Sequence, residues 1–423
     1  MAYKQMKRDM SLKLQLPETL AALPRVNLLY PFFSPIHPLQ SLSASARGTG
    51  KQKVHVSLYA KREDHASPLA CSGNKYRKLE YIIPDILSTQ PRYGAGVAAD
   101  RPVGLGTPRG KVTTLVTEGA VQSNHTVQVA AVASKIGLES VVLLHKGTGG
   151  GLSSSSDKEA FLSTGNVQIV KLLGSDVRML EPPTPPKTGD DLVEEVLEEL
   201  RAQGKHPYWI PSGASLHPLG GLGYARCAFE IAAQEKEVLL KGQSPEGSRF
   251  DYIFVACGSG STVGGLIAGF KLLDKTQPRR QGSPPRRVVG ILTSPTRRKP
   301  YHAERILRFA RRAGELMGLD PEDDITMDDV LLDDRFAGSR YGVLDAQTKE
   351  TLSLVAEKEE VILDPVYTAK VARGMMHWVA EGEIEKDILP SSTGQEQEQR
   401  QVNALFIHTG GQSALGAYAD FRI

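Results

Sequence analysis

A chain of 423 residues is long enough for two or more core-bearing lobes, and 40% hydrophobic with 23% charged residues reads as soluble and globular. A formal net charge of +3 gives no sign of a polyanionic partner, and no apolar run approaches membrane-spanning length. Three cysteines, Cys71, Cys227 and Cys257, make no disulfide framework and point to a reducing compartment.

The N-terminus carries Lys4, Lys7, Arg8 and Lys13 without an apolar signal core, and Asp9 argues against a transit peptide without excluding one. The cytoplasm is the expected location, with mitochondria left open. Between Tyr30 and Leu39 three prolines predict an extended, packed segment. Val54 to Ala60 alternates as a strand does, and the chain then reaches Cys71-Ser72-Gly73-Asn74-Lys75. Asn74 is a suitable cap for a helix running to Pro84, which puts Lys75 in its first turn. A helix start disfavours an ammonium, so Lys75 is expected to lose some pKa, as a lysine that attacks carbonyls requires. The competing reading is a solvated basic patch of Lys75, Arg77 and Lys78.

Residues 88–111 read as a surface insertion, and Val112 to Thr117 as a buried strand. The turn through Gln122-Ser123-Asn124-His125-Thr126 opens a helix with Ala130, Ala131, Ala133 and Ile136. Ser140 to Leu144 and Val167 to Leu172 are predicted strands, separated by a Gly/Ser loop over 146–156. Pro182 to Pro186 interrupts the chain, and Asp190 to Gln203 is an amphipathic helix. Tyr208 to Ile210, Phe250 to Cys257, Arg287 to Thr293, Val361 to Leu363 and Ala404 to His408 complete the predicted strands. Basic residues from Arg297 to Arg312 and acidic ones from Asp320 to Asp334 are expected to be solvated faces of one helical region. Residues 388–401 read as a second, disordered insertion. Strands alternating with helices predict an α/β fold with parallel pairing.

The loop Cys257-Gly258-Ser259-Gly260-Ser261-Thr262 lies between a strand and a helix. Its amides and hydroxyls suit a phosphate monoester. It is neither a P-loop, lacking the Lys-Ser/Thr pair, nor a dinucleotide fingerprint, since Val263 stands where the third glycine belongs. Ser123-Asn124 is either a helix cap or a pair in which Asn124 bonds a flat cofactor and Ser123 faces the substrate. His125 reads as a packing or capping histidine. Tyr341 and Tyr367 are by type more often core residues than catalysts.

Taken together, five blocks resemble the pyridoxal-phosphate (PLP) family that joins 1-aminocyclopropane-1-carboxylate (ACC) deaminase and D-cysteine desulfhydrase. They are Ser72 to Pro84, Tyr59 to Asp64, Gln122 to Thr126, Asp364 to Tyr367 and His408 to Gly411. The resemblance spans roughly residues 28 to 420. It implies a two-domain α/β fold of the tryptophan-synthase-β type, with parallel-rich sheets flanked by helices. Residues 78–218 would form the small domain, and 1–77 with 219–423 the large PLP-binding domain. It further implies that Lys75 holds PLP covalently, that Asn124 meets the ring hydroxyl, and that Ser259, Gly260, Ser261 and Thr262 hold the phosphate. Ser123, Tyr341 and Tyr367 would line the substrate side. A homodimer and a small amino-acid substrate are implied; no metal, nucleic acid or membrane is. Ser72 and Val127 depart from the family pattern, which has glycine and commonly arginine there.

Two positions bear on the reaction. ACC deaminases of the family carry Glu and Leu where this chain has Thr368 and Thr409, and both threonines resemble the desulfhydrase side. A carboxylate near the pyridine nitrogen would favour its protonation and strengthen the electron sink, whereas a hydroxyl would not. The residues therefore predict β-elimination of D-cysteine to pyruvate, hydrogen sulfide and ammonia, with Lys75 as the candidate base and Thr368 beside the cofactor. ACC deamination to 2-oxobutanoate and ammonia is the nearest alternative. Elimination from another D-amino acid, a PLP-binding protein without turnover, and a nucleic-acid binder follow.

Overall fold

The computed structural model describes residues 14–45, 54–94, 110–145, 165–180, 189–215, 217–242, 244–245, 247–277, 284–388 and 400–418. Most of both predicted insertions, the Gly/Ser loop at 146–156 and Pro182 to Pro186 lie outside the described residues.

The strands are β1 (Ile36–Pro38), β2 (Val54–Arg62), β3 (Thr114–Ala120), β4 (Glu139–His145), β5 (Asp176–Leu180), β6 (Pro207–Ile210), β7 (Tyr252–Cys257), β8 (Arg287–Leu292), β9 (Leu331–Asp333) and β10 (Arg400–His408). They form a six-stranded sheet in the order β1-β2-β10-β7-β8-β9 and a four-stranded sheet in the order β5-β4-β3-β6. All pairings are parallel except β1 with β2, where Pro38 sits harmlessly on the edge. The principal helices are α1 (Lys75–Ile86), α2 (Asn124–Ile136), α3 (Gly165–Leu172), α4 (Gly189–Ala202), α5 (Leu222–Lys241), α6 (Ser261–Thr276), α7 (Lys299–Leu316), α8 (Ala346–Glu359) and α9 (Thr368–Ala380).

Strand periodicity explains why the large sheet is covered on both faces. Ile253, Val255 and Cys257 of β7, with Leu405 and Ile407 of β10, pack under α5, α6 and α7. The alternate residues Tyr252, Phe254, Val402, Ala404 and Phe406 pack under α8 and α9. No helix among the described residues is long and apolar enough to cross a membrane.

Helix α1 joins the two sheets' cores, and its surroundings overturn the reading of a solvated basic patch. Arg77 and Lys78 are both buried. The Arg77 guanidinium forks onto Glu63 and Glu230, with Nη1 at 2.9 Å from Glu230 Oε2 and Nη2 at 2.9 Å from Glu63 Oε1. Lys61 Nζ lies 2.8 Å from Glu230 Oε1, and the Ser34 hydroxyl donates to Glu63 at 2.6 Å. Burial pushes the Glu230 carboxyl up, yet Arg77 and Lys61 hold it well below the ordinary range. Pro84, inside the last turn of α1, cannot donate to the Glu80 carbonyl; the Val26 amide takes that acceptor at 2.9 Å.

Four local expectations are corrected. Val167 to Leu172 belongs to helix α3, because Val167 and Val170 share a face packed on Val127, Ala130 and Val142; the strand comes later, as β5. Val361 and Leu363 are buried on either side of exposed Ile362, as in a strand, but the segment pairs with no ladder and the Ile362 carbonyl binds His408 Nε2 at 2.9 Å. The basic stretch is helix α7, whereas the acidic one is turns, a short 3-10 helix (Met327–Asp329) and β9: Asp320 accepts the amides of Glu322 and Asp323 and so closes a turn. The two still offset each other, through Arg311 and Glu322 at 2.5 Å. Finally, Asn74 is helical in its own backbone and its side chain makes no cap bond.

Replacing Glu230 by Gln leaves Arg77 and Lys61 without half of their counter-charge in a buried site. The loss should cost about 3–5 kcal/mol, seen as a lower denaturation midpoint. An unchanged midpoint would show that the cluster does not hold α1 in place.

Candidate active site

Gln128, not Asn74, satisfies the start of α1. Its Oε1 accepts the amides of Lys75 and Tyr76 at 3.0 and 3.1 Å, and its Nε2 donates to the Cys71 carbonyl at 3.0 Å. Reading the sequence missed it, although Gln128 stands four residues after Asn124 on one helix face. Freed from capping, Asn74 Nδ2 reaches Thr262 Oγ1 at 3.3 Å, and its buried Oδ1 has no partner among the described residues.

The accessible part of Lys75 faces a cavity of about 570 Å³. Its Nζ stands 5.3 Å from the centroid of the Tyr367 ring. Burial draws the amine down to about 8, against the opposing pull of the Asp364 charge. The lowered value matches the expectation, but the dominant cause is desolvation. Tyr341 and Tyr367 share a hydroxyl–hydroxyl hydrogen bond, and burial pushes Tyr341 up to about 12 and Tyr367 well above its ordinary value. Both phenols are therefore neutral near pH 7 and act by hydrogen bonding, with one proton of the pair free for a ligand.

Opposite Lys75, the loop after β7 turns into α6 through Gly260, whose φ of +91° places it in the left-handed region. Ser259 Oγ and Ser261 Oγ lie 3.3 Å apart, and Lys78 Nζ donates to Ser261 Oγ at 2.9 Å and to the Gly213 carbonyl at 3.0 Å. Burial, and then the neighbouring Lys75 charge, hold the Lys78 amine well below its ordinary range. A desolvated lysine, clustered hydroxyls and the N-terminus of a 16-residue helix form a donor set that suits a phosphate dianion. Lys78 was not among the sequence candidates; its place one turn after Lys75 was the signal available.

Lys75, Ser123, Ser259, Gly260, Thr262, Tyr341, Tyr367 and Thr409 all line this cavity. The Ser123 hydroxyl makes no cap bond, although the residue occupies the cap position of α2. His125 also reaches the wall; it is buried, as its packing reading expects, and it does not cap α2, whose cap position is Ser123. Asn124, Ser261 and Thr368 stand behind the wall. Asn124 Oδ1 accepts from Asn166 Nδ2 at 3.0 Å, which leaves its amide as a donor directed at Gly411; a methyl group on Gly411 would overlap it. Ser261 Oγ accepts from Lys78 and donates to the Gly213 carbonyl at 3.2 Å. Thr368 Oγ1 bonds Asp364 Oδ2 at 2.7 Å and receives the Asp364 amide at 2.6 Å, so its hydroxyl braces the turn into α9. Thr368 is not among the residues that line the cavity. Val127 is packed in the core with Val121 and Leu144, so an arginine there would not point into the cavity without repacking. Ser72 ties the preceding loop together, accepting the Ser67 amide at 2.9 Å. No aspartate or glutamate lines the cavity among the described residues.

Known proteins resemble this chain along most of its length. The model of the family described as pyridoxal-phosphate dependent enzyme matches residues 31–394. A 1-aminocyclopropane-1-carboxylate deaminase of Burkholderia multivorans is 38% identical over 91% of this chain and 94% of its own length. One from Ralstonia nicotianae is 36% identical over 91% and 94%. A solved structure described as an ACC deaminase homologue superimposes with a TM-score of 0.69 at 28% identity, covering 96% of this chain and 98% of that one. O-ureido-L-serine synthase, at 14% identity and a TM-score of 0.51, shares the fold alone. The chain belongs to the pyridoxal-phosphate dependent enzyme family, among homologues of ACC deaminase.

Proposed function

We propose that this chain is a PLP-dependent deaminase of a small amino acid, with ACC as its substrate and 2-oxobutanoate and ammonia as its products. The observation that carries the deaminase reading is a half-buried lysine, with a pKa of about 8, facing a neutral tyrosine pair across a cavity that ends in a phosphate cradle. The choice of ACC rests on the relatives' names at 36–38% identity over nine-tenths of the chain. It reverses the order suggested by Thr368 and Thr409. The Thr368 hydroxyl is committed to Asp364, which removes half of the residue argument for D-cysteine. Elimination from D-cysteine stays as the second reading, favoured by Thr409 on the wall and by a described lining without carboxylates. The resemblance to the desulfhydrase side goes no further than these positions.

In this reading PLP, when bound, supplies the electron sink for bonds broken at the substrate's α-carbon. Lys75 would hold it, and the loop Ser259 to Thr262 with Lys78 would hold its phosphate. Asn124 would offer its amide hydrogen to the ring hydroxyl from behind the wall. The Ser123 hydroxyl, on the wall of the same cavity as Lys75, would bind the substrate's carboxylate. Lys75 as a neutral amine can accept and return a proton near pH 8, and the tyrosine pair can orient the leaving carbon or sulfur. ACC and water balance to 2-oxobutanoate and ammonia; D-cysteine and water balance to pyruvate, hydrogen sulfide and ammonia. Residues 78–218 as a small domain beside a larger one, a homodimer and a cytoplasmic location complete the proposal. The two separate sheets support the domain division.

Side-by-side assay of the holoenzyme should give a higher kcat/KM for 2-oxobutanoate release from ACC than for pyruvate release from D-cysteine. The opposite ranking would establish the second reading, and a holoenzyme that turns over neither would be a binding protein. Lys75→Ala should abolish turnover while cofactor still binds through the loop.

Lys75 also predicts a pH dependence. The neutral amine is the form that attacks an aldehyde, and it accumulates above the pKa. Cofactor uptake by the apoprotein, followed by visible absorption, should accelerate as pH rises and level off above about 8. A rate still rising steeply near pH 10 would mean that Lys75 has an ordinary amine.

A further inference from the structure

We propose that Gln128 is the positioning residue of the cofactor lysine: its uncharged side-chain amide fixes the turn before α1 and the first turn of α1, and so holds Lys75 at the cavity without placing a carboxylate beside it. The inference rests on reading Lys75 as the residue that holds the cofactor. It adds a residue that stands outside the cavity's described lining and acts through Lys75.

Gln128 lies on α2, one turn after Asn124, and is fully buried. Both of its polar atoms are committed. Oε1 accepts the backbone amides of Lys75 and Tyr76 at 3.0 and 3.1 Å, and Nε2 donates to the Cys71 carbonyl at 3.0 Å. A flipped side chain would set its own NH2 against two donors and its oxygen against a carbonyl, so these three bonds fix its orientation. The turn is shaped around it. Cys71 has a φ of +50°, in the left-handed region that few side chains adopt. A methyl group on Gly73 would come to 2.7 Å from Gln128 Nε2 and 2.8 Å from the Thr409 carbonyl oxygen. Glycine there leaves the room that the side-chain amide occupies. From the other side the backbone amide of Asn74 donates to the Thr409 carbonyl at 3.2 Å, which closes the turn on the cavity wall.

The choice of an amide over an acid has an electrostatic consequence. A carboxylate binds backbone amides at a helix start more strongly than an amide oxygen does. In this place it would also face the Cys71 carbonyl and stand beside Lys75, favouring the ammonium. The groups around Lys75 are otherwise arranged against that charge. Lys78 lies a turn further along α1, His125 stands on α2, and Tyr341 and Tyr367 line the same cavity. The acid that acts on Lys75 is Asp364, already bonded to the backbone amides of Val366, Tyr367 and Thr368. Gln128 thus satisfies the start of α1 and adds no counter-charge to the amine.

The test follows cofactor uptake by the full-length apoprotein through its visible absorption, across pH, for the wild type and two variants of nearly equal side-chain size. In Gln128→Glu the carboxylate keeps both backbone bonds and adds a charge. The pH at which uptake levels off should rise by about one pH unit or more, the effect of a close opposite charge on an amine. In Gln128→Met the two amides and the Cys71 carbonyl lose their partner and no charge is added. Cofactor affinity should fall about tenfold or more, while uptake levels off at the wild-type pH. A general loss of stability would not separate the two variants in this way. An unchanged levelling pH in Gln128→Glu, or unchanged affinity in Gln128→Met, would overturn the proposal. Should Gln128→Glu fail to fold, the affinity of Gln128→Met decides alone. Lys75→Ala tests the reading beneath it: the wild-type change in absorption in that variant would show that another residue holds the cofactor, and would overturn both.

Discussion

The structure depends on four charges buried together: Lys61, Glu63, Arg77 and Glu230. Removing four ions from water is costly, and the cost is recovered only if they meet in good geometry with their remaining hydrogen bonds filled. Here the guanidinium spans both carboxylates, Lys61 completes Glu230, and Ser34 and Tyr224 complete Glu63. The cluster joins the segment before β1, the end of β2, helix α1 and helix α5. Residues two apart on a helix point in nearly opposite directions. Fixing Arg77 on one side of α1 therefore directs Lys75 to the other side, where the cavity is. Lys78, three residues after Lys75, follows it toward the cavity and not toward the cluster.

A second constraint is steric and acts on the same helix. Gly223 of α5 lies so close to α1 that a methyl group would overlap the Arg77 carbonyl. Gly265 and Gly269 of α6 lie equally close to the backbone of Gly221 and Ala225. Backbone against backbone, α1, α5 and α6 approach closely enough for the starts of α1 and α6 to converge. That brings the amine of Lys75 and the hydroxyls of the Gly260 turn to one cavity, although about 190 residues separate them in sequence.

Most of this framework was legible in the sequence, because period-2 alternation identifies a buried strand wherever both faces of a sheet are covered, as in β7 and β10. The lysine segment, the Gly-Ser loop and the tyrosines were legible as residue types in recognisable blocks. What could not be read were partnerships made across long separations. Gln128 and Asn74 exchange roles only because α2 packs beside α1. Arg77 and Lys78 look like solvated charges until Glu63, Glu230 and Ser261 are placed around them. Thr368 reads as a cofactor contact, and its bond to Asp364, four residues earlier, could not be read from the residue type. Val167 to Leu172, short and apolar, could be either strand or helix; the packing of Val167 and Val170 on α2 decided it.

The electrostatics of the cavity follow from these placements. Lys75 and Lys78 occupy one face of α1, a turn apart, and the Lys75 charge resists the charging of Lys78. The negative charge that Lys75 feels comes from Asp364, set back behind the turn that carries Tyr367 and spent on the amides of Val366, Tyr367 and Thr368. Among the described residues Lys78 bonds Ser261 and the Gly213 carbonyl and no acidic side chain. A low-dielectric site with this asymmetry divides the work of two chemically identical side chains. Lys75 can shed its proton near neutral pH and serve as nucleophile or base, because only a distant, already satisfied carboxylate opposes the loss. Lys78 regains its charge when an anion enters the cradle beside it, and then holds that anion. The difference between the two lysines is thus set by what faces each of them, and it traces back to the buried charges that fix the rotation of α1.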